Sequence, residues 1–344
     1  MAKPINEFVN KIICGNCLEL IKEIPSSSVN LIITSPPYFK QRDYGGYEKE
    51  IGNENRAEEY VENLLKLFYE CFRVIKNDGS IVFNIGDKYE NSSLLLVPYR
   101  FAIEVLNKLP VKLVNDITWV KLNPTPRQFR RRLVSSTEPF FHFVKSDDYY
   151  YNIDEFMNLL DKSRTKRNGN GNNLGKKYFG LIENSELLEE QKRRAIKELE
   201  EVIEEVKSGK LYSFRMKIKG IHSLPFGGQE GGRKTQILKK GFTIIKLHGN
   251  SIKRDVIESP VETIKGAKHP AIYPEYIIQE LLKLLTREGD IVLDPFMGSG
   301  TTAFACKKLR RNYIGFDINQ NYCKSAVNNL KEIKINNAIT EWII

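Results

Sequence analysis

The stretch "IVLDPFMGSGTTAFACKKL", residues 291–309, decides the class of fold. Its first four residues read as a buried strand, Gly298-Ser299-Gly300 as a tight turn, and the run from Thr301 as a helix. This succession aims backbone N–H groups and the positive end of a helix at whatever binds there, while glycine permits close approach. The strand that follows, "YIGFD" (313–317), ends in Asp317. Asp317 lies 19 residues after Gly298, near the ~20 at which an acidic side chain meets a ribose hydroxyl in nucleoside-cofactor sites. NAD is one candidate for such a site. The turn carries only two glycines, however, and a carboxylate at Asp294 repels a pyrophosphate. It suits a cofactor with an ammonium and a sulfonium, which is S-adenosylmethionine.

Working outward, further short apolar runs bounded by turn residues read as buried strands of parallel type: KIIC (11–14), NLIIT (30–34), SIVFNI (80–85), ITWV (117–120) and FFHFV (140–144). Helical spacing lies between many of them. Glu58–Ile75 is followed by the stop signal Asn77-Asp78-Gly79, and YPEYIIQELLKLL starts with Pro274 near its first turn. Strands alternating with helices predict an α/β fold, a doubly wound and mostly parallel sheet. Between 152 and 262 the character changes. "KSRTKRNGNGNNLGKK" (162–177) and "GGQEGGRKTQILKKG" (227–241) read as basic flexible loops, and residues 185–209 as a long charged helix stopped by Gly209. This block reads as an inserted recognition module.

The totals bound the function. A chain of 344 residues exceeds the usual single-domain range of about 100–200, so one domain with an insertion, or two domains, is expected. No apolar run approaches the ~18 residues that span a bilayer, and the N-terminus has no signal-peptide pattern, so an intracellular, cytoplasmic location is expected. Lys and Arg number 53 against 43 Asp and Glu, a formal charge of +10. That balance points to a polyanionic partner, nucleic acid first, although a lysine-rich solubilised surface accounts for charge alone equally well. Five cysteines and four scattered histidines give neither a disulfide framework nor a zinc set. The lone CxxC, Cys14 and Cys17, reads first as small residues at a strand end, with a thioredoxin-like redox pair as the lesser alternative, and no metal is expected.

At the end of the run "LIITSPPYFK" (31–40), two prolines forbid helix and remove two donors. The carbonyls of Ser35 and Pro36 can then face outward beyond a strand end, where open α/β sheets bind ligands. With the Ser35 hydroxyl and the ring of Tyr38 they could grip a planar ring bearing an exocyclic amine. Such an amine delocalises its lone pair and is a poor nucleophile. Acceptors for its protons free that lone pair to attack a methyl sulfonium in line, with proximity supplying much of the acceleration.

With both motifs in view, the chain resembles a β-class S-adenosylmethionine-dependent DNA amino-methyltransferase. Within that class it is similar to the cytosine-N4 group, whose target-base motif is typically TSPPY where adenine-N6 enzymes usually carry DPPY. The resemblance runs through "ICGNCLELIKEIPSSSVNLIITSPPY", "DGSIVFNIGDKY", "ITWVKLNPTPRQFRRRLVSSTEPFFHFVKS", "KHPAIYPEYIIQELLK", "DPFMGSGTT" and "YIGFD". It implies residues 1–151 as the catalytic half of one methyltransferase domain, 152–262 as a variable target-recognition region, and 263–344 as the cofactor-binding half. Ser35, Pro36, Pro37 and Tyr38 would be catalytic. Asp294, Pro295, Phe296, Gly298, Ser299, Gly300 and Thr301 would hold the cofactor's methionine portion. Asp317 would take the ribose hydroxyls, with Asn16 near the adenine and His269 beside the cofactor. Asn84 and Asp87 would stand behind the catalytic loop, where a supporting role for that loop and a plain strand-end turn are equally open.

The substrate so implied is duplex DNA with its target base taken out of the stack. Phosphate contacts are expected from Arg127, Arg130, Arg131 and Arg132, and from Lys166, Arg167, Arg233, Lys234, Lys239 and Lys240. A cognate restriction endonuclease is the expected functional partner. Three other readings stay open on sequence: adenine-N6 methylation by the same machinery, a nicotinamide-dependent oxidoreductase, and a non-catalytic DNA-binding protein.

Overall fold

The computed structural model describes residues 2–41, 50–124, 130–157, 174–211, 213–225, 232–247, 253–261 and 273–332. In chain order the elements are β1 (Lys11–Cys14), α1 (Cys17–Leu20), β2 (Val29–Thr34), α2 (Ala57–Val74), β3 (Ile75–Asn84), β4 (Tyr89–Glu90), β5 (Ser93–Leu94), α3 (Val97–Lys108), β6 (Lys112–Lys121) and β7 (Thr137–Val144). Then follow α4 (Lys176–Glu183), α5 (Glu189–Lys207), β8 (Ser213–Ile218), α6 (Arg233–Lys240), β9 (Phe242–Leu247), β10 (Val256–Ser259), α7 (Glu275–Leu285), β11 (Ile291–Asp294), α8 (Thr301–Lys308), β12 (Asn312–Asp317) and α9 (Gln320–Glu332).

Eight strands form one sheet in the order β1-β12-β11-β2-β3-β7-β6-β10. All neighbours pair parallel except β7, which runs antiparallel to both β3 and β6. The run FFHFV is therefore a reversed strand, not one of parallel type. Its apolar composition reflects burial on both faces: Phe141 and Phe143 point one way, Phe140 and His142 the other, and all four are buried. From β11 the chain moves outward to β12, whereas from β2 it moves the opposite way to β3. The strand order thus switches between β11 and β2, and a crevice opens at their carboxyl ends. Residues from distant parts of the sequence meet there, with Val292 opposite Leu31 and Leu293 opposite Ile32.

The apolar stripe of α2, including Tyr60, Leu64, Phe68 and Cys71, packs on Phe83, Phe101 and Phe143. Phe68 meets Phe143 edge-on, with centroids 5.2 Å apart and planes at 77°, and each such ring contributes about 1.5–3 kcal/mol by burial. The stop signal at 77–79 is absorbed into β3, which begins directly after α2 with a register shift against β2. Gly79 is needed at that irregularity, since a Cβ there would lie 2.7 Å from the Asn30 carbonyl oxygen.

The chain divides into two compact units, residues 1–156 with 254–344, and residues 157–253. The second unit has its own core, in which Tyr178, Ile182, Leu199, Val202, Met216, Ile218 and Phe242 are buried around the antiparallel pair β8–β9. Its long helix α5 is capped by Ser208 and followed by Gly209 at φ +76°, a left-handed residue just past the helix end. Two sequence expectations shift here. The segment expected as a flexible loop over 227–241 contains the helix α6, closed by Gly241 at φ +85°. Residues 256–259, expected within the variable block, form β10 at the edge of the large sheet.

Candidate active site

The switch-point crevice is an open cleft, with about 910 Å³ of empty space when the solvent at its mouth is included. Both sequence motifs line it: Ser35, Pro36, Pro37 and Tyr38 from the loop after β2, and Pro295, Phe296, Met297, Gly298, Ser299 and Thr301 from the turn after β11. Asn16 and Asp317 complete the predicted wall, while Glu50, Ile51, Tyr273, Asn319 and Tyr322 are lining residues that sequence reading missed.

The two loops are tied together from below. Asp294 is fully buried, and its Oδ1 accepts from the Thr34 hydroxyl (2.6 Å) and the Phe296 N–H (3.0 Å). Its Oδ2 accepts from the hydroxyls of Thr302 (2.6 Å) and Tyr273 (3.0 Å). Burial pushes its carboxyl above the usual range, and these four donors oppose that shift. Asp294 does not line the cleft, so its role differs from the direct cofactor contact expected of it. It joins the end of β2 to the end of β11. Gly300 also stands behind the wall, at φ +99°.

The glycine turn is organised by Asp317, whose Oδ2 accepts the Gly298 N–H and Oδ1 the Asn319 N–H, both at 2.8 Å. The Met297 and Gly300 N–H groups close onto the carbonyls of Phe316 and Met297. Among the described residues the Ser299 N–H has no such partner, so the turn offers fewer outward donors than its sequence suggests. Burial raises the Asp317 carboxyl to about 6. Asn16 lines the cleft and caps α1, its Oδ1 accepting the Leu18 N–H at 2.8 Å. Gly315 lets Met297 lie against the β12 backbone, where a Cβ would meet the methionine Cε at 2.5 Å.

In the Ser-Pro-Pro-Tyr loop the Pro37 carbonyl accepts from the Tyr60 hydroxyl at 2.9 Å. Among the described residues nothing donates to the Pro36 carbonyl. The Tyr38 ring lies on Gly86, where a Cβ would sit 2.4 Å from two ring carbons. Its hydroxyl lies 2.8 Å from Asn84 Oδ1 and 2.9 Å from Glu138 Oε2, and the Ser35 hydroxyl lies 3.2 Å from Asn84 Oδ1 and 3.3 Å from the Tyr38 oxygen. Asn84 donates from Nδ2 to the Pro139 carbonyl at 3.0 Å, which fixes its oxygen toward the two hydroxyls. Lys121 pairs with the other oxygen of Glu138. Glu138 and Lys121 carry no local sequence signal, since Glu138 stands 100 residues from Tyr38. Asp87 accepts the N–H groups of Lys88 and Val97 and so shapes the loop before α3.

The basic residues divide. Arg130, Arg131 and Arg132 are exposed between β6 and β7, with the Arg132 guanidinium 3.7 Å from the Tyr89 ring centre. In the second unit Arg233, Lys234 and Lys239 are exposed on α6, while Lys240 is ion-paired with Glu198 at 3.4 Å. Arg127, Lys166, Arg167 and His269 lie outside the described residues. The CxxC is not a reactive pair: Cys14 is exposed, whereas Cys17 is buried, its thiol pushed up to about 12 by burial. Among the described residues no acidic, histidine or cysteine cluster is placed to hold a metal, and no helix is long and apolar enough to cross a membrane.

The cleft accepts one kind of nucleoside cofactor better than another. Its described lining carries two carboxylates, Glu50 and Asp317, and neither lysine nor arginine. A pyrophosphate would meet no cation there, whereas a ligand with a sulfonium and an ammonium is electrostatically matched.

Comparison with known proteins agrees. Residues 29–328 match the model of the N6/N4 DNA methylase family. The Type II methyltransferase M.SfiI of Streptomyces fimbriatus is 29% identical, over 90% of this chain and 88% of its own length. M.Cfr9I of Citrobacter freundii, also a Type II methyltransferase, is 25% identical, over 92% of this chain and 86% of its own. Among solved structures, the cytosine-N4-specific PvuII DNA methyltransferase superposes with a TM-score of 0.57 at 18% identity, covering 94% of this chain and 86% of that one. The family match decides between the two cofactor readings for S-adenosylmethionine. This chain belongs to the N6/N4 DNA methylase family and is an S-adenosylmethionine-dependent DNA methyltransferase.

Proposed function

We propose that this chain methylates the N4 amine of cytosine at a specific sequence in duplex DNA. The observation that carries this reading is the composition of the cleft, where Ser35, rather than a carboxylate, lines the space shared with the glycine turn, the two loops following the paired strands β2 and β11. The bound cofactor supplies an electrophilic methyl group. Asp317 would hold its ribose hydroxyls, Phe296 and Ile51 its apolar surface, and Glu50 would balance its positive charge. Ser35 Oγ and the Pro36 carbonyl accept the protons of the target amine, which localises the nitrogen lone pair for attack. They also stabilise the positive charge that develops on that nitrogen. Tyr38, held by Gly86 on one side and by its hydroxyl at the other end, presents an ordered ring to an everted base and returns part of the few kcal/mol spent on unstacking it.

Unit 157–253 supplies sequence readout in this account, with Arg233, Lys234 and Lys239 on the exposed side of α6 as phosphate or base-edge contacts. Arg130, Arg131 and Arg132 hold the duplex backbone near the catalytic loop. The relatives named above are Type II enzymes. By the same reading this protein works in the cytoplasm, marking host DNA against a cognate restriction endonuclease. Incubation with methyl-labelled cofactor and plasmid DNA, digestion to nucleosides and identification by mass tests the choice of base. N4-methylcytosine is expected, and N6-methyladenine without methylcytosine would overturn it.

A further inference from the structure

Methyl transfer to an amine leaves a proton to be removed. With aspartate in place of Ser35 the loop itself would supply a carboxylate. A serine hydroxyl can pass a proton on but cannot keep it. Resting on the reading above, we propose that Glu138 is the terminal proton acceptor of the transfer, reached from the target amine through the hydroxyls of Ser35 and Tyr38.

The geometry is a continuous chain. Ser35 Oγ lies 3.3 Å from Tyr38 Oη, and Tyr38 Oη lies 2.9 Å from Glu138 Oε2. Each hydroxyl owns one proton and has two acceptors in reach, because Asn84 Oδ1 is within 3.2 Å of Ser35 and 2.8 Å of Tyr38. In one arrangement Ser35 donates to Tyr38 and Tyr38 donates to Glu138, so every link points toward the carboxylate. Asn84 is an amide whose orientation is fixed by Pro139, and it can guide the hydroxyls without taking a proton from them. Glu138 is a carboxylate hydrogen-bonded to the end of this hydroxyl pair, through Tyr38. Lys121 compensates its charge through the other oxygen. The Glu138 side chain keeps 12% of its surface exposed, which gives the acquired proton a way to solvent.

The balance closes. As the nitrogen–methyl bond forms and the methyl–sulfur bond breaks, the bonding pair leaves with sulfur and the nitrogen becomes cationic. Its N–H bond then breaks, the electron pair returning to nitrogen and the proton going to Ser35 Oγ. Ser35 gives its own proton to Tyr38, and Tyr38 gives its own to Glu138. Both hydroxyls are regenerated and the carboxylate becomes a carboxylic acid. A strong base is unnecessary, because a cationic nitrogen on a pyrimidine ring is a stronger acid than a carboxylic acid.

Glu138→Gln tests this directly, because the amide oxygen still accepts from Tyr38 but cannot hold the proton. Single-turnover methylation by the full-length variant is expected to fall at least ~100-fold, within the range for removal of an acid–base group. Cofactor binding by calorimetry, and eversion of the target read by 2-aminopurine fluorescence, should stay within about threefold of wild type. Tyr38→Phe, which keeps the ring and cuts the chain, should show the same split. Glu138→Ala should recover part of its rate in added formate, a response that removal of a merely structural group would not give. Transfer by Glu138→Gln within about threefold of wild type would overturn the proposal, as would absence of formate rescue. If wild-type protein methylated no DNA amine at all, the underlying reading would fail instead.

Discussion

Asp317 holds the Gly298 N–H and the Asn319 N–H with its two oxygens and still faces the cleft. Burial raises its carboxyl to about 6. Hydroxyl donors from a ribose favour the ionised form, so cofactor affinity should be full above pH 6 and weaken as pH falls through that value. Calorimetry between pH 7.5 and 5 reads this directly, and Asp317→Asn should bind more weakly with the slope removed. At Gly86 a Cβ would strike two carbons of the Tyr38 ring at 2.4 Å. Gly86→Ala should therefore tilt the ring and slow methyl transfer at least ~10-fold, since small misplacements of reacting groups are costly, while cofactor binding persists. Sequence reading found Asp317 by its spacing. It could not find the close approach at Gly86, because there a loop meets a residue 48 positions away.

At the scale of elements, the junction of β2 and β11 depends on one buried carboxylate with four donors. Thr34→Val removes one hydrogen bond to a charged acceptor and should cost about 2 kcal/mol, read as a shift in the urea midpoint. The motif letters around Asp294 were legible, but its role as the joint between the two loops was not. That role depends on Thr34 and Tyr273, brought in by separate strand and helix contexts. On β7, His142 is buried, its ring nitrogen Nε2 paired with the Ser80 hydroxyl at 2.9 Å and Nδ1 without a hydrogen-bond partner among the described residues. Burial lowers its pKa from 6.5 to about 4. The unfolded chain takes up this proton near 6.5 and the folded one only near 4. The stability contributed by the neutral ring is therefore full above about 6.5 and lost as pH falls toward 4, by at most ~3 kcal/mol. His142→Gln should flatten that slope in urea unfolding at pH 5 against pH 7. The apolar run around His142 was read as a strand but not as a reversed one, because burial on both faces erases the alternation that marks antiparallel pairing.

Over the whole molecule, the excess of positive charge and the alternation of strands with helices were readable from the chain, and so was the change of character in its middle. The limits of the middle block were not. β10 and α6 are short elements whose apolar residues, such as Ile257 and Ile237, gain meaning only from the partners they bury against. If Arg130, Arg131 and Arg132 hold phosphates, replacing all three by alanine should flatten the plot of log affinity against log salt by about 0.9 for each phosphate no longer neutralised. The central claim is that the Ser-Pro-Pro-Tyr loop and the glycine turn form one reaction chamber. A crystal structure with a cognate duplex and the non-reactive cofactor analogue sinefungin tests it most directly. The everted base should place its exocyclic amine within hydrogen-bond distance of Ser35 Oγ and the Pro36 carbonyl, with the analogue seated against Gly298 and Asp317. A base amine away from Ser35, or an analogue bound outside the cleft, would contradict the account.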